Sequence, residues 1–154
     1  MSLPFPENAL FFLAKICLKE LADAVIELCS NEVSPRKGGI LAIVVIDPEH
    51  QSPSSSASLS VGDPTKRIVW HCKNVHEKIE NINSDLRTGL INTLVGFNKD
   101  GYEVYTCFSG THSREIDGAI GYVIGEKLEL KMPVYENPFL ARVRELLENV
   151  ITED

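Results

Sequence analysis

Apolar residues in the first part of the chain recur with a helical rhythm. Leu10, Ala14, Cys17, Leu21, Ala24 and Leu28 follow one another at alternating steps of four and three, which is the repeat of one face of an α-helix. Pro4, Pro6 and Glu7 stand at its start and Ser30, Asn31 and Pro35 at its end, so a helix is predicted over about 7–30. After Gly38-Gly39 the rhythm changes. Ile40-Leu41-Ala42-Ile43-Val44-Val45-Ile46 has no polar alternation and stops at Asp47-Pro48. Such a run predicts a central strand, about 39–47, buried on both faces. The four-three spacing returns in Ile68, Cys72, Val75, Ile79, Ile82 and Leu86. With Asp63 as N-cap and Pro64 at the first helical position, this predicts a second helix over about 64–87.

The remaining pattern is shorter in period. Leu94 to Phe97 and Tyr102 to Phe108 flank Asn98-Lys99-Asp100-Gly101, the signature of a hairpin over about 94–108. Between 116 and 131 two periods compete. Ile116, Ile120, Val123 and Ile124 suit a helix, but Gly118, Gly121 and Gly125 would each cost such a helix about 1 kcal/mol. A second hairpin over about 119–132 is therefore expected, turning at Gly125-Glu126-Lys127. In its second strand Leu128, Leu130 and Met132 alternate with charges. Asn137, Pro138 and the stripe Leu140, Val143, Leu147 and Val150 predict a last helix over about 138–150. Residues 49–62 are rich in serine and are expected to form a mobile loop or weak edge hairpin, with Ser58–Val61 as a short strand. Consecutive hairpins among helices imply an α+β fold with a mostly antiparallel sheet. The element order resembles that of profilin-like and GAF-like sensor modules.

Composition narrows the function. The chain has 154 residues, 44% hydrophobic and 24% charged, which suits one soluble domain over 1–154 with its own core. Net charge is −7, so a duplex-binding basic face is not expected. The charge is uneven: residues 1–50 carry 4 basic and 7 acidic side chains, 51–100 carry 6 and 5, and 101–154 carry 5 and 10. A site for an anion would draw on the middle third. The cysteines, Cys17, Cys29, Cys72 and Cys107, form no CxxC pair, and no signal-peptide pattern or membrane-length apolar run occurs. A cytoplasmic protein with reduced thiols is expected.

The densest chemistry lies between the two expected hairpins, in Cys107-Phe108-Ser109-Gly110-Thr111-His112-Ser113-Arg114-Glu115. Ser109, Gly110, Thr111, His112, Ser113 and Arg114 form the candidate ligand site. Hydroxyls and backbone N–H groups can hold an anion, Arg114 supplies a planar fork, and His112 titrates near neutral pH. The same residues also suit a locally capped turn. Cys107 is a candidate nucleophile, with His112 as base and Asp100 or Asp117 to orient it. Cys72 and His76, at i and i+4, are a candidate metal pair that His71 and His112 could join. Asp47, Glu49 and His50 with Asp63 are a further candidate for a divalent cation. No phosphate-binding, dinucleotide, HExxH or GxSxG motif occurs, and no cofactor is implied.

Gly110-Thr111-His112-Ser113-Arg114, following the Asp100-Gly101 turn, resembles the Gly-Thr-Arg-His-Arg signature of diadenylate cyclase domains. It differs at the two residues before the final arginine, His112 and Ser113, and Asp117-Gly118-Ala119 follows it where that family's Asp-Gly-Ala precedes. The resemblance implies nucleotide chemistry at this loop. The leading expectation is a ligand-sensing or regulatory module for a small anionic or nucleotide-like ligand. The alternatives are an enzyme on a phosphorylated substrate, with His112 and Arg114 at work, and a homo-oligomer using Phe11, Phe12 and Trp70.

Overall fold

The computed structural model describes residues 38–46, 49, 53–62, 65–81, 90, 92–99, 101–111 and 113–148. The expected helix over 7–30 lies outside them, as do Asp47, Pro48, His50, Asp63, Asp100 and His112. Strand β1 (Gly38–Ile46) is buried along its whole length, as its unbroken apolar run predicts. It has antiparallel neighbours on both sides. One is β4 (Glu103–Ser109), which pairs in turn with β3 (Thr93–Phe97) in the expected hairpin. The other is β2 (Pro53–Gly62), so the strand order is β2-β1-β4-β3.

Strand β2 replaces the loop expected over 49–62 with an edge strand that contains the short strand expected at Ser58–Val61. Residues 53–62 are a full strand, in register from Gly38↔Gly62 to Val45↔Ser55. The reason is backbone accounting. Buried β1 must pair its N–H and C=O groups along both edges, and a serine-rich strand supplies those partners as well as an apolar one. Pro53 stands at the first position, where a missing N–H is tolerated.

Helices cover both faces of the sheet. Helix α1 (Lys66–Asn81) buries Ile68, Cys72, Val75 and Ile79 of the predicted stripe, whose Ile82 and Leu86 lie outside the described residues. It packs the buried residues against Ile40, Ala42, Val44, Ile46, Tyr105 and Cys107. The opposite face, with Leu41, Ile43, Val45, Val104 and Phe108, meets α2 (Arg114–Lys127) and α3 (Leu140–Leu146). The expected last helix begins two residues late. Asn137 still organises its approach, because its side-chain oxygen accepts the Phe139 N–H at 2.9 Å.

Helix α2 overturns the hairpin expected over 119–132. Residues 116–125 are all buried in it, and its glycines are contact points rather than breaks. A Cβ on Gly118 would collide with the Tyr135 hydroxyl, and one on Gly125 would lie 2.6 Å from the Met132 sulfur. Gly121 faces β4, where Thr106 Oγ1 donates to its carbonyl at 3.1 Å. Close packing on both sides outweighs a propensity cost of about 1 kcal/mol per glycine. The helix closes with Glu129 at φ 61°, Glu129 N–H to Glu126 O at 3.0 Å and Leu130 N–H to Gly125 O at 3.2 Å. This is a Schellman ending. What survives of the expected strand is Lys131, which exchanges two backbone hydrogen bonds with Phe97 at 2.8 and 3.1 Å.

Candidate functional site

The 109–114 segment carries the chain from β4 into α2, at the end of the sheet where β1 begins. A Cβ on Gly110 would lie 2.8 Å from Gly39 Cα and 2.9 Å from Gly38 O, so two backbones touch there. Thr111 is buried, and its N–H and hydroxyl both reach Asp117 Oδ1, at 2.9 and 2.8 Å. The hydroxyl also lies 2.8 Å from Ser113 O and accepts the Ser113 N–H at 3.1 Å. Ser113 caps α2, its Oγ accepting the Ile116 N–H at 3.2 Å. Asp117 is 4% exposed, and its carboxylate sits in the first turn, where the helix dipole favours negative charge.

The six sequence candidates therefore divide. Gly110, Thr111 and Ser113 build the turn, and Ser109 hydrogen-bonds toward the Cys72 thiol. Arg114 is exposed. His112 lies outside the described residues. The charge of Arg114 reaches His71 of α1, a residue that the loop motif does not contain. Arg67 and His71 are one helical turn apart on α1. Burial lowers the pKa of His71 from 6.5, and the charges of Arg67, Lys78 and Arg114 lower it further. Cations from two helices thus share one region of potential with a partly exposed imidazole. The i,i+4 spacing of Arg67 and His71 was the only local sign of this, and nothing local ties them to Arg114.

The thiols are inward. Cys72 is 1% exposed, and its Sγ lies 3.4 Å from Ile40 O. Burial, then the proximity of Cys107 and Asp117, pushes its pKa up to about 12. Burial pushes Cys107 up to about 12 as well, with Asp117 adding to the rise and a hydrogen bond from Thr93 opposing it. Both thiols stay protonated at neutral pH, the inert condition for a cysteine. His76 turns away from Cys72. Its Nε2 lies 2.7 Å from Glu80 Oε1 and its Nδ1 3.0 Å from Ser58 Oγ. Among the described residues no group of three or more His, Cys, Asp and Glu side chains is placed to hold a metal. Glu49 is exposed, and the other members of the expected cation site lie outside the described residues.

The chain matches no family model, no curated protein and no solved structure. Among the described residues no helix is long and apolar enough to cross a membrane.

Proposed function

We propose that the protein is a ligand-sensing or regulatory module that binds a small anionic, nucleotide-like ligand beside the 109–114 turn. Arg114, Arg67 and His71 form the receiving face. The observation that carries this reading is the shared electrostatic environment of His71, Arg67 and Arg114, three groups from two helices. Thr111, Ser113 and Asp117 support it by holding the turn rigid, so that Arg114 leaves from a fixed backbone position. The antiparallel sheet with helices on both faces is also compatible with the layout of profilin-like and GAF-like sensor modules.

The test is a thermal-shift panel of inorganic phosphate, pyrophosphate, AMP, ADP, ATP and diadenosine nucleotides. At a concentration 100 times its Kd, a ligand raises stability by about 2.7 kcal/mol. At least one member of the panel should raise Tm, and Arg114→Ala and Arg67→Ala should each abolish the rise. No shift across the panel, or a shift that Arg114→Ala leaves intact, overturns the reading.

A further inference from the structure

A second constellation lies on the other flank of α1. The stripe Val69, Lys73, His76 and Glu80 runs beside the buried stripe Ile68, Cys72, Val75 and Ile79. It faces β2, where register sets Ser58 opposite Ala42 and Ser60 opposite Ile40, both on the α1 side of the sheet. Between them is an open cavity of about 480 Å³, lined by Ile40, Ser58, Ser60, Val69, Lys73 and His76 together with Glu77 and Glu80. Inside it Ser58 Oγ is 3.0 Å from His76 Nδ1, and His76 Nε2 is 2.7 Å from Glu80 Oε1.

Chemistry decides the direction of these bonds. An ionised carboxylate only accepts, so in neutral His76 the ring proton is on Nε2, donated to Glu80. Nδ1 then holds the lone pair, and the Ser58 hydroxyl donates to it. A hydroxyl hydrogen-bonded to a base that is itself oriented by a carboxylate is the arrangement that activates a serine. Such sites are recognised by geometry and role rather than by sequence order.

We infer that Ser58, His76 and Glu80 form an acyl-transfer site, with Ser58 as nucleophile, His76 as general base and Glu80 as its orienting carboxylate. The substrate class is a small carboxylic ester with an apolar acyl group, which Ile40 and Val69 would receive. Ser58 Oγ forms a bond to the carbonyl carbon as its proton passes to His76 Nδ1. The C–O bond to the alcohol breaks, and the alcohol leaves with that proton. Water then attacks the acyl-Ser58 ester, again giving its proton to His76. The carboxylic acid departs and the proton returns to Ser58. Lys73, on the same cavity wall, is the cation available to the oxyanion of each step. This site shares no residue with the Arg67–His71–Arg114 face and stands or falls independently of it.

The test treats the full chain with an alkyl fluorophosphonate and maps the adduct by peptide mass spectrometry. The Ser58 Oγ–P bond should form as the P–F bond breaks, labelling Ser58 alone. Ser58→Ala should lose both the label and hydrolysis of p-nitrophenyl butyrate. His76→Gln should slow labelling by about 100-fold or more. Glu80→Gln should slow it less and displace its pH profile. Melting curves of the variants are recorded in parallel, and the adduct map of the unmodified chain decides the matter if a variant does not fold. No adduct, an adduct on another serine, or an unchanged rate in His76→Gln overturns the proposal.

Discussion

His71 shows how one side chain reports on its surroundings. It is partly buried, and that burial is the first cause of its lowered pKa, ahead of Arg67, Lys78 and Arg114. Because its folded-state value lies below its ordinary 6.5, the folded chain binds a proton there less readily than the unfolded chain does. The stability this provides is full above about pH 6.5 and is lost as pH falls through the folded-state pKa. The imidazole resonance, assigned with His71→Gln, should give a titration midpoint below 6.5. Arg114→Ala and Arg67→Ala should each return it part of the way, since burial stays. Saturating phosphate should raise the midpoint in the unmodified chain and not in Arg114→Ala. A midpoint indifferent to both arginines would remove His71 from the proposed receiving face.

At the scale of elements, glycines decide how closely the pieces approach. Gly121 of α2 has room: a Cβ there would meet Thr106 Oγ1 at 3.6 Å and Leu94 Cδ1 at 3.7 Å, ordinary contacts. Gly121→Ala should therefore stabilise the protein by up to about 1 kcal/mol through helix propensity. Gly110 has none, because its Cβ would lie 2.8 Å from Gly39 Cα, and backbone cannot swing aside as a side-chain tip can. Gly110→Ala should cost about 1–3 kcal/mol and disturb the turn that carries Arg114. Urea unfolding of both variants checks the pair, and equal effects of the same sign would contradict the packing described. Helix α3 depends on similar neighbours. It spans only Leu140–Leu146, too short to persist alone. It is held by buried Leu140 and Val143 and by the fork of Arg144 on Glu126 at 2.9 and 3.0 Å.

For the molecule as a whole, what the sheet leaves outside is as informative as what it buries. Trp70, the single tryptophan, is 67% exposed on α1, and Val69 beside it is 41% exposed. The intrinsic fluorescence of the native chain should therefore have a solvent-like emission maximum that changes little on unfolding. A blue-shifted native emission that moves to longer wavelength on dilution would instead identify this face as an interface between copies of the chain. The charge distribution gains a spatial meaning as well. Arg67 and His71 come from the middle third, where an anion site was expected, but Arg114 comes from the acidic last third. The charge of Arg114, at the start of α2, nonetheless reaches His71 on α1.

Strand β1, the hairpin of β3 and β4, and the core stripe of α1 were legible in the sequence because each is written locally. An unbroken apolar run, an Asp-Gly turn between β-rich segments and a four-three repeat all describe residues within one element. The 109–114 turn was legible as a dense polar motif, but not the inward role of Thr111, which depends on Asp117 being carried into the first turn of α2. Helix α2 was misread because its glycines were weighed by intrinsic propensity, whereas Tyr135, Met132 and β4 turn them into contacts. Of strand β2 only the alternating Ser58–Val61 was legible, because the serines before it carry no apolar signal, and the full length of the strand follows from the edge of β1 that it pairs. The sequence by itself determined the local periods of β1, α1 and the hairpin of β3 and β4, because each is a property of neighbouring residues. Tertiary structure alone decided which distant side chains share a cavity or a field, as with Ser58 and His76 or Arg67 and Arg114, since such meetings depend on register and packing between elements rather than on spacing within one.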